Sequence, residues 1–308
     1  MITRREFLVA SAALAVPLRL APAKLKPARL AAITDLHYGL APDAAVRMEA
    51  FVQAVKARKG LDAVLQMGDF CYSDEGAKGC MDLWNRVSQP KLHVLGNHDM
   101  DKVDKDAAMK FIGMKSRYGS TKLGGYRFIH LDLNHFQKEG KLYSYANGNY
   151  FTDNASYNWA DPEQLEWLKQ ELAKSTEPVI ILAHQPLGFA EPEKPLPPEQ
   201  SQIMDILEKG PVAACIFGHL HVDRLETCRG IPCLCVNSAS YFWSGGMHPY
   251  TKPLFAFMEF GADGILRIEG VSGEFVHAPP AASDAVKGRS ASISSRSVKC
   301  RNAIKEGT

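Results

Sequence analysis

Five groups of polar side chains in this sequence are of types that bind metal ions or move protons, and each directly follows a short apolar segment. In chain order they are Asp35-Leu36-His37, Gly68-Asp69, Gly96-Asn97-His98-Asp99, His184 and Gly218-His219-Leu220-His221. Aspartate and histidine without cysteine suit borderline or hard cations such as Mn, Fe or Zn, and a carboxylate between imidazoles can bridge two of them. Because a pair of ions about 3.5 to 4 Å apart polarises both the attacking and the departing oxygen of a phosphoryl transfer, the five groups indicate that reaction.

The apolar segments that precede these groups predict buried strands. RLAAI, LDAVLQM, KLHVL, PVIILA and VAACIF, together with YRFIHLDL, are rich in β-branched residues and end at glycine or polar clusters. Helical patterns lie between them, at 44–59, from the cap at 161–164 onward and at 198–209. In sheets whose strands alternate with helices, ligands bind at the carboxyl ends of the strands. We therefore expect the five groups to meet at one sheet edge, where the glycines at 68, 96 and 218 let the backbone turn sharply.

The second half of the chain predicts a different strand arrangement. The segments 231–236, 254–260 and 265–271 are short strands joined by turns such as Gly261-Ala262-Asp263-Gly264, and we expect them to add antiparallel to the core. An α/β fold with a two-sheet β-sandwich core flanked by helices accommodates both halves. Long loops are expected at 134–160, which is rich in aromatic residues, and at 187–200, which is rich in proline.

The order of the five groups resembles the calcineurin-like metallophosphoesterase superfamily. The blocks DxH, GD, GNHD, a lone histidine and GHxH occur in that order over residues 30–240, each after a predicted strand. The resemblance implies the four-layer αββα fold of that superfamily. The length of the chain and the block QLEWL are most similar to bacterial cyclic-nucleotide phosphodiesterases of this group, and exported phosphatases are also among its members.

The resemblance also implies a role for each motif residue. Asp35, His37, Asp69 and His221 would hold one metal ion, and a second ion would be held by Asp69, Asn97, His184 and His219. His98 would face the phosphate, and Asp99 would orient its imidazole and raise its pKa. Tyr72 has the GDxxY spacing of purple acid phosphatases, in which the tyrosine binds iron, but those enzymes lack the histidine of DxH. We therefore expect His37 to be the ligand and Tyr72 to pack or to face substrate.

The implied activity is hydrolysis of a phosphoric ester by a metal-activated hydroxide, with two divalent or mixed-valence ions whose identity, Mn, Fe or Zn, stays open. The first expectation is a phosphodiesterase acting on nucleotide-like or other small diesters. The alternatives are an exported phosphomonoesterase and, more remotely, a non-catalytic binding module on the same fold. Aromatic side chains in the predicted loops either stack a nucleobase or pack the loops themselves. No nucleic-acid duplex is expected as a partner, because the first 23 residues carry all of the formal charge of +2.

Residues 1–23 have the pattern of a twin-arginine export signal. Arg4 and Arg5 precede an apolar stretch too short to span a bilayer, and Ala21-Pro22-Ala23 is an A-x-A cleavage pattern. We expect a periplasmic or extracellular protein without a membrane span after signal removal. Its phosphoesterase domain would cover 24–278 and a flexible tail 279–308. The seven cysteines leave open disulfides such as Cys71 with Cys80, or Cys228 with Cys233 or Cys235.

Overall fold

The structure, a computed structural model, describes residues 25–150, 152–189, 194–241, 248–277 and 290–301. The predicted signal at 1–23 lies outside these residues. The strands are β1 (Ala28–Ile33), β2 (Ala63–Gln66), β3 (Lys91–His93), β4 (Gly119–Leu123), β5 (Tyr126–His130), β6 (His135–Lys138), β7 (Lys141–Ser144), β8 (Ser156–Tyr157), β9 (Val179–Leu182), β10 (Val212–Phe217), β11 (Arg224–Cys228), β12 (Ile231–Cys235), β13 (Ala256–Phe260), β14 (Ile265–Gly270) and β15 (Arg296–Lys299). The helices are α1 (Ala44–Ala57), α2 (Lys78–Asn85), α3 (Lys105–Ile112), α4 (Pro162–Lys174) and α5 (Pro198–Leu207).

Two six-stranded sheets form the centre of the molecule. Their strand orders are β15-β14-β13-β1-β2-β3 and β11-β12-β10-β9-β5-β4. In the first sheet β1, β2 and β3 run parallel to one another, and in the second β5, β9, β10 and β12 do. The five strands that precede the polar groups are therefore neighbours within their sheets, and their carboxyl ends share one edge of each sheet.

Three apolar clusters hold these sheets and the helices together in four layers. Side chains alternate along β1, so that Leu30 packs between the two sheets whereas Ile33 packs against the helices outside the first sheet. Phe51 of α1 belongs to that outer cluster, and Leu168 of α4 packs against the outer face of the second sheet together with residues of α5. The expected α/β fold, a two-sheet core flanked by helices, is confirmed.

The helices begin where the sequence signals predict. The Asp161 side chain accepts a hydrogen bond from the Gln164 backbone N–H at 3.1 Å, and Pro162 occupies the first position of α4. The helices expected at 44–59 and 198–209 are present as α1 and α5, and each ends two residues earlier than expected.

Two expectations about strands are wrong. β12 pairs parallel with β10 on one side and antiparallel with β11 on the other, so it is not a purely antiparallel addition. The loop expected at 134–160 contains a separate three-stranded sheet of order β7-β6-β8. The rings of Tyr143, Tyr145 and Tyr157 pack around Phe136 in this sheet. These four aromatic rings therefore pack the segment itself, which was one of the two roles expected for them; the other was stacking on a nucleobase.

The tail expected to be flexible at 279–308 forms a strand in part. β15 pairs antiparallel with β14 at the edge of the first sheet, and Val298 is buried in the cluster between the sheets. The Arg301 guanidinium donates to the backbone carbonyls of Val212, in β10 of the second sheet, and of Glu208, directly after α5. A four-residue strand is too short for its alternation to be recognised in the sequence.

Neither a disulfide nor a membrane-spanning helix occurs in the part of the chain described. All seven cysteines are free thiols, and six of them are buried. None of α1 to α5 has the length and the apolar character needed to cross a bilayer.

Candidate metal centre

The five polar groups come together at the carboxyl ends of β1, β2, β3, β9 and β10. The first sheet supplies Asp35, His37, Asp69, Asn97 and His98, and the second supplies His184, His219 and His221. Asp35 and His184 have no exposed surface. Buried charged and polar groups at this density require partners, and both sheets contribute to supplying them.

Six of these side chains form two groups of potential ligands. One consists of Asp35, His37 and His221, and the other of Asp69, His184 and His219. In the first, His221 Nε2 lies 3.1 Å from Asp35 Oδ1 and 3.2 Å from His37 Nε2. In the second, His184 Nε2 lies 3.1 Å from Asp69 Oδ2 and 3.3 Å from His219 Nδ1. Ligand nitrogens that share one tetrahedral ion at about 2.1 Å stand about 3.4 Å apart, so both groups have the dimensions of a metal site.

Asp69 lies between the two groups. Its Oδ2 atom is 3.1 Å from His184 Nε2 and 3.9 Å from His37 Nε2, and its Oδ1 atom accepts the His98 backbone N–H at 2.8 Å. The Oδ1 atom of Asn97 is buried without a hydrogen-bond donor. A cation would satisfy this acceptor, whose burial otherwise costs free energy. The residues present therefore fit a pair of cations that share Asp69.

The charges of the site also favour cations. Burial opposes ionisation of Asp35, but the surrounding histidines lower its pKa to about 2, and the pKa of Asp69 is likewise well below its ordinary value. Burial lowers the pKa of His37 to about 3 and that of His219 to about 4, which keeps both imidazoles neutral. Against its burial, Asp69 and Asp35 raise the pKa of His184 to about 9. A metal ion at His184 must therefore displace a proton.

Backbone strain is concentrated at the same place. Ten non-glycine residues in the described segments have a positive φ, and half of them are potential ligands: Asp35, His37, Asp69, His219 and His221, with φ between 49° and 69°. Each such residue costs roughly 1 to 3 kcal/mol and persists only where its surroundings hold it. Here the Ser238 hydroxyl donates to the Asp35 carbonyl at 2.8 Å, and the His37 N–H donates to the Asp69 carbonyl at 2.9 Å.

Two of the three glycines are required mainly by the close approach of neighbouring loops. A Cβ at Gly96 would lie 2.0 Å from the Asp69 nitrogen and 2.2 Å from its Oδ1 atom, and a Cβ at Gly218 would lie 2.2 Å from Thr34 Oγ1. Only Gly68, with φ of +94°, also needs the conformational freedom that the sequence suggested.

The role expected for Asp99 is wrong. Its fully buried carboxylate accepts the backbone N–H groups of Phe70 at 2.8 Å, Cys71 at 3.2 Å and Gly96 at 2.8 Å. It therefore ties the loop after β2 to the loop after β3. The carboxylate that contacts the His98 imidazole belongs to Asp101, whose Oδ2 atom lies 2.8 Å from His98 Nδ1.

Asp101 and Tyr150 are the neighbours of His98 that the sequence reasoning missed. Asp101 follows His98 by three residues across a short 3-10 turn, a spacing that brings side chains together and could have revealed it. The Tyr150 hydroxyl lies 3.0 Å from His98 Nδ1. Because Tyr150 is far from His98 in the sequence, no local sequence pattern predicts this contact. Burial opposes protonation of His98, but Asp69 and Asp101 raise its pKa above the ordinary value.

The ring of Tyr72 contacts a lysine and a glycine. The Lys102 ammonium stands 4.1 Å from the centre of its ring, and the ring edge packs against Gly39. His37 occupies a place in the first group, as the DxH block implies.

Comparison with known proteins agrees with this geometry. The family model for calcineurin-like phosphoesterases matches residues 28–223, well over half of the chain and all five polar groups. The chain belongs to the calcineurin-like phosphoesterase family. The family resemblance seen in the sequence is confirmed.

Individual relatives match less completely. A probable cyclic nucleotide phosphodiesterase from Rhodococcus erythropolis (strain PR4 / NBRC 100887) is 34% identical over 89 residues, which are 28% of this chain and 30% of that protein. The structure of GAP50, described as the anchor in the inner membrane complex of Plasmodium, matches with a TM-score of 0.56 and 15% identity over 85% of this chain and 94% of its own. Purple acid phosphatase PPD1 from yellow lupin (Lupinus luteus) seeds gives a TM-score of 0.46 and 15% identity over 87% of this chain and 53% of its own. The match thus spans less than a third of the Rhodococcus protein and about half of the lupin enzyme.

Proposed function

We propose that the protein is a two-metal phosphoester hydrolase that cleaves small, nucleotide-like phosphodiesters. The observation that carries the proposal is the position of Asp69, whose Oδ2 atom lies 3.1 Å from His184 Nε2 and 3.9 Å from His37 Nε2, between two groups of ligand atoms. Family membership supports phosphoester hydrolysis. The partial match to a protein named as a probable cyclic nucleotide phosphodiesterase supports a diester as substrate.

Each residue of the site has a part in this proposal. One ion would be held by Asp35, His37, Asp69 and His221, and the second by Asp69, Asn97, His184 and His219. When bound, two such ions activate a water molecule and neutralise charge on the phosphoryl oxygens. The His98 ring lies 5.4 Å from that of His37, and its side chain is 15% exposed, so it is open to a substrate that the ions would hold. His98 would donate to a phosphoryl oxygen or to the departing oxygen.

The experiment that tests the proposal compares esters on protein loaded with Mn, Fe or Zn. We expect kcat/KM for bis-p-nitrophenyl phosphate to exceed that for p-nitrophenyl phosphate, and a cyclic nucleotide to be hydrolysed. His98→Gln should lower kcat about 10²-fold or more while two ions stay bound, because a positioned proton donor contributes that much. His130→Gln is the matched control, since His130 lies on β5 and its ring contacts the Ser116 carbonyl.

The outcomes separate the candidate functions. If the monoester is hydrolysed faster, the protein is a phosphomonoesterase rather than a phosphodiesterase. If the protein binds two ions but hydrolyses no ester, it is a binding module and the proposal is refuted. If His98→Gln keeps full activity on every ester, His98 takes no part in the reaction.

We also propose export through a twin-arginine pathway, which would make the protein periplasmic or extracellular. The support is the pattern of residues 1–23, with Arg4 and Arg5 ahead of the apolar stretch. In a bacterial host with that pathway, replacing both arginines by lysine should retain the protein in the cytoplasm, as seen by cell fractionation. Unchanged export of this variant would contradict the proposal.

A further inference from the structure

The His98 imidazole is held by two side chains rather than one. Its Nδ1 atom lies 2.8 Å from Asp101 Oδ2 and 3.0 Å from the Tyr150 hydroxyl, which itself donates a hydrogen bond to Asp101 Oδ1. A carboxylate can only accept, so Nδ1 carries the hydrogen in the bond to Asp101. Nε2 is the ring atom that would donate to a substrate.

Tyr150 fixes the plane of the Asp101 carboxylate. One oxygen of Asp101 contacts His98 and the other accepts from Tyr150, so the carboxylate cannot rotate without breaking one of the two hydrogen bonds. The ring of Tyr150 stands edge-on to that of His98, with centroids 6.0 Å apart and an interplanar angle of 80°. The three side chains therefore restrain the direction in which Nε2 points.

Tyr150 is in turn anchored in the fold. The residue is 6% exposed, and its ring packs on that of Tyr145 with centroids 4.7 Å apart. The backbone N–H of Gly148 donates to the Met100 carbonyl at 3.1 Å, and that of Asn147 donates to the Val103 carbonyl at 2.9 Å. The segment that carries Tyr150 is thus attached directly to the segment that carries Asp101.

We propose that Tyr150 is a positioning residue that, through Asp101, directs the His98 Nε2–H toward the departing oxygen of the substrate. The proposal rests on the hydrolase function proposed above. In the step concerned, His98 is in its imidazolium form, with a hydrogen on each ring nitrogen. The oxygen of a water molecule bonds to phosphorus, the P–O bond to the leaving group breaks, and its electron pair forms an O–H bond with the Nε2 hydrogen, which leaves His98 neutral. The water releases its proton to solvent, and His98 regains one from solvent. A misdirected imidazole would impair this transfer without altering the ligands of the ions.

The test uses leaving groups of different basicity, because a good leaving group needs little proton donation. We expect Tyr150→Phe to lower kcat about tenfold on methyl phenyl phosphate and less than threefold on methyl p-nitrophenyl phosphate. KM and metal content should stay within twofold of the wild type. Tyr143→Phe is the matched control, since Tyr143 belongs to the neighbouring β7, is 42% exposed and stacks on Phe136, and it should match the wild type on both esters.

A double-mutant cycle and a spectroscopic readout complete the design. In a His98→Ala background Tyr150→Phe should change kcat by less than twofold, because it acts only through His98. In the metal-free protein labelled with ¹⁵N-histidine, Tyr150→Phe should broaden or shift the His98 Nδ1–H signal. If Tyr150→Phe does not fold, Asp101→Asn with the same readouts takes its place.

The results distinguish this inference from the proposed function. A wild type that hydrolyses no ester refutes the function, and the NMR signal then decides the inference alone. Equal losses on the two diesters, an undiminished effect in the His98→Ala background, or an unchanged His98 signal would overturn the role of Tyr150.

Discussion

Asp99 shows how a residue of a motif can act on the backbone instead of the substrate. Three buried N–H groups depend on its carboxylate, those of Phe70, Cys71 and Gly96. Asp99→Ala should lower the free energy of unfolding by about 3 kcal/mol, because a buried donor left without an acceptor costs about 1 kcal/mol or more. Urea denaturation of the metal-free protein measures this free energy.

The control is Asp106→Ala. Asp106 is an exposed residue of α3, so its replacement should change the free energy of unfolding by only a few tenths of a kcal/mol. If Asp99→Ala is as stable as the wild type but its kcat depends differently on the basicity of the leaving group, Asp99 does orient the His98 imidazole.

Gly96 allows the loops that carry Asn97 and Asp69 to touch. Its φ is not positive, so alanine is acceptable to the backbone there, but the added Cβ would lie 2.0 Å from the Asp69 nitrogen. Gly96→Ala should therefore displace Asp69 and reduce bound metal below two ions per chain, as measured by elemental analysis. Gly140→Ala is the contrasting case, because φ is +74° but nothing lies within 4 Å of its Cβ. That variant should lose about 1 kcal/mol of stability and keep its metal. Full metal content in Gly96→Ala would contradict the steric argument.

At the residue scale, the sequence predicts that the side chains of the five motif groups meet, but not how the backbone presents them or which other side chains join them. The chemical types of Asp69 and His184 indicate metal binding wherever they lie. The positive φ of Asp69 has no local signal, because strain of this kind is imposed by neighbouring loops. Tyr150 illustrates the same limit, since its contact with His98 depends on the path of a segment about fifty residues away.

At the scale of elements, prediction succeeded where a pattern was local. β9 and β10 are buried on both faces and read as continuous apolar runs, and α4 begins at its own capping residues. Prediction failed where the direction of a strand depends on which other strands it pairs with. β12 lies between β10 and β11, and its direction relative to each depends on chain path rather than on composition.

The strand β15 gives the first sheet its outer edge. A chain ending at residue 289 would expose the hydrogen-bonding groups of β14, uncover the cluster that includes Val298, and lose the contacts of Arg301 with the second sheet. We expect its free energy of unfolding to fall by about 3 kcal/mol or more, with self-association visible in size-exclusion chromatography. A chain ending at Arg301 keeps every one of these contacts and should match the full chain. Equal stability of the two shortened chains would show that β15 contributes little.

At the scale of the molecule, the candidate site joins the two sheets. Asp35, His37 and Asp69 extend from the first sheet, and His184, His219 and His221 extend from the second. Each group of three contains residues of both sheets. The two sheets are otherwise joined by apolar packing between them and by contacts such as those of Arg301. Ions bound here would therefore link the two halves of the core.

Metal binding should consequently stabilise the whole fold. An ion that binds only the folded chain adds about 2.7 kcal/mol at a free concentration of 100 times its Kd, which for a protein of this size raises Tm by roughly 4 °C. Removal of metal by a chelator should reverse the rise, and hydrogen exchange should slow on metal addition in β1 and β2 as well as in β9 and β10. Asp69→Asn should abolish the response to metal, whereas Asp106→Asn should retain it. Protection confined to the strands of one sheet would show that the ions do not join the two, because a shared linkage must protect both.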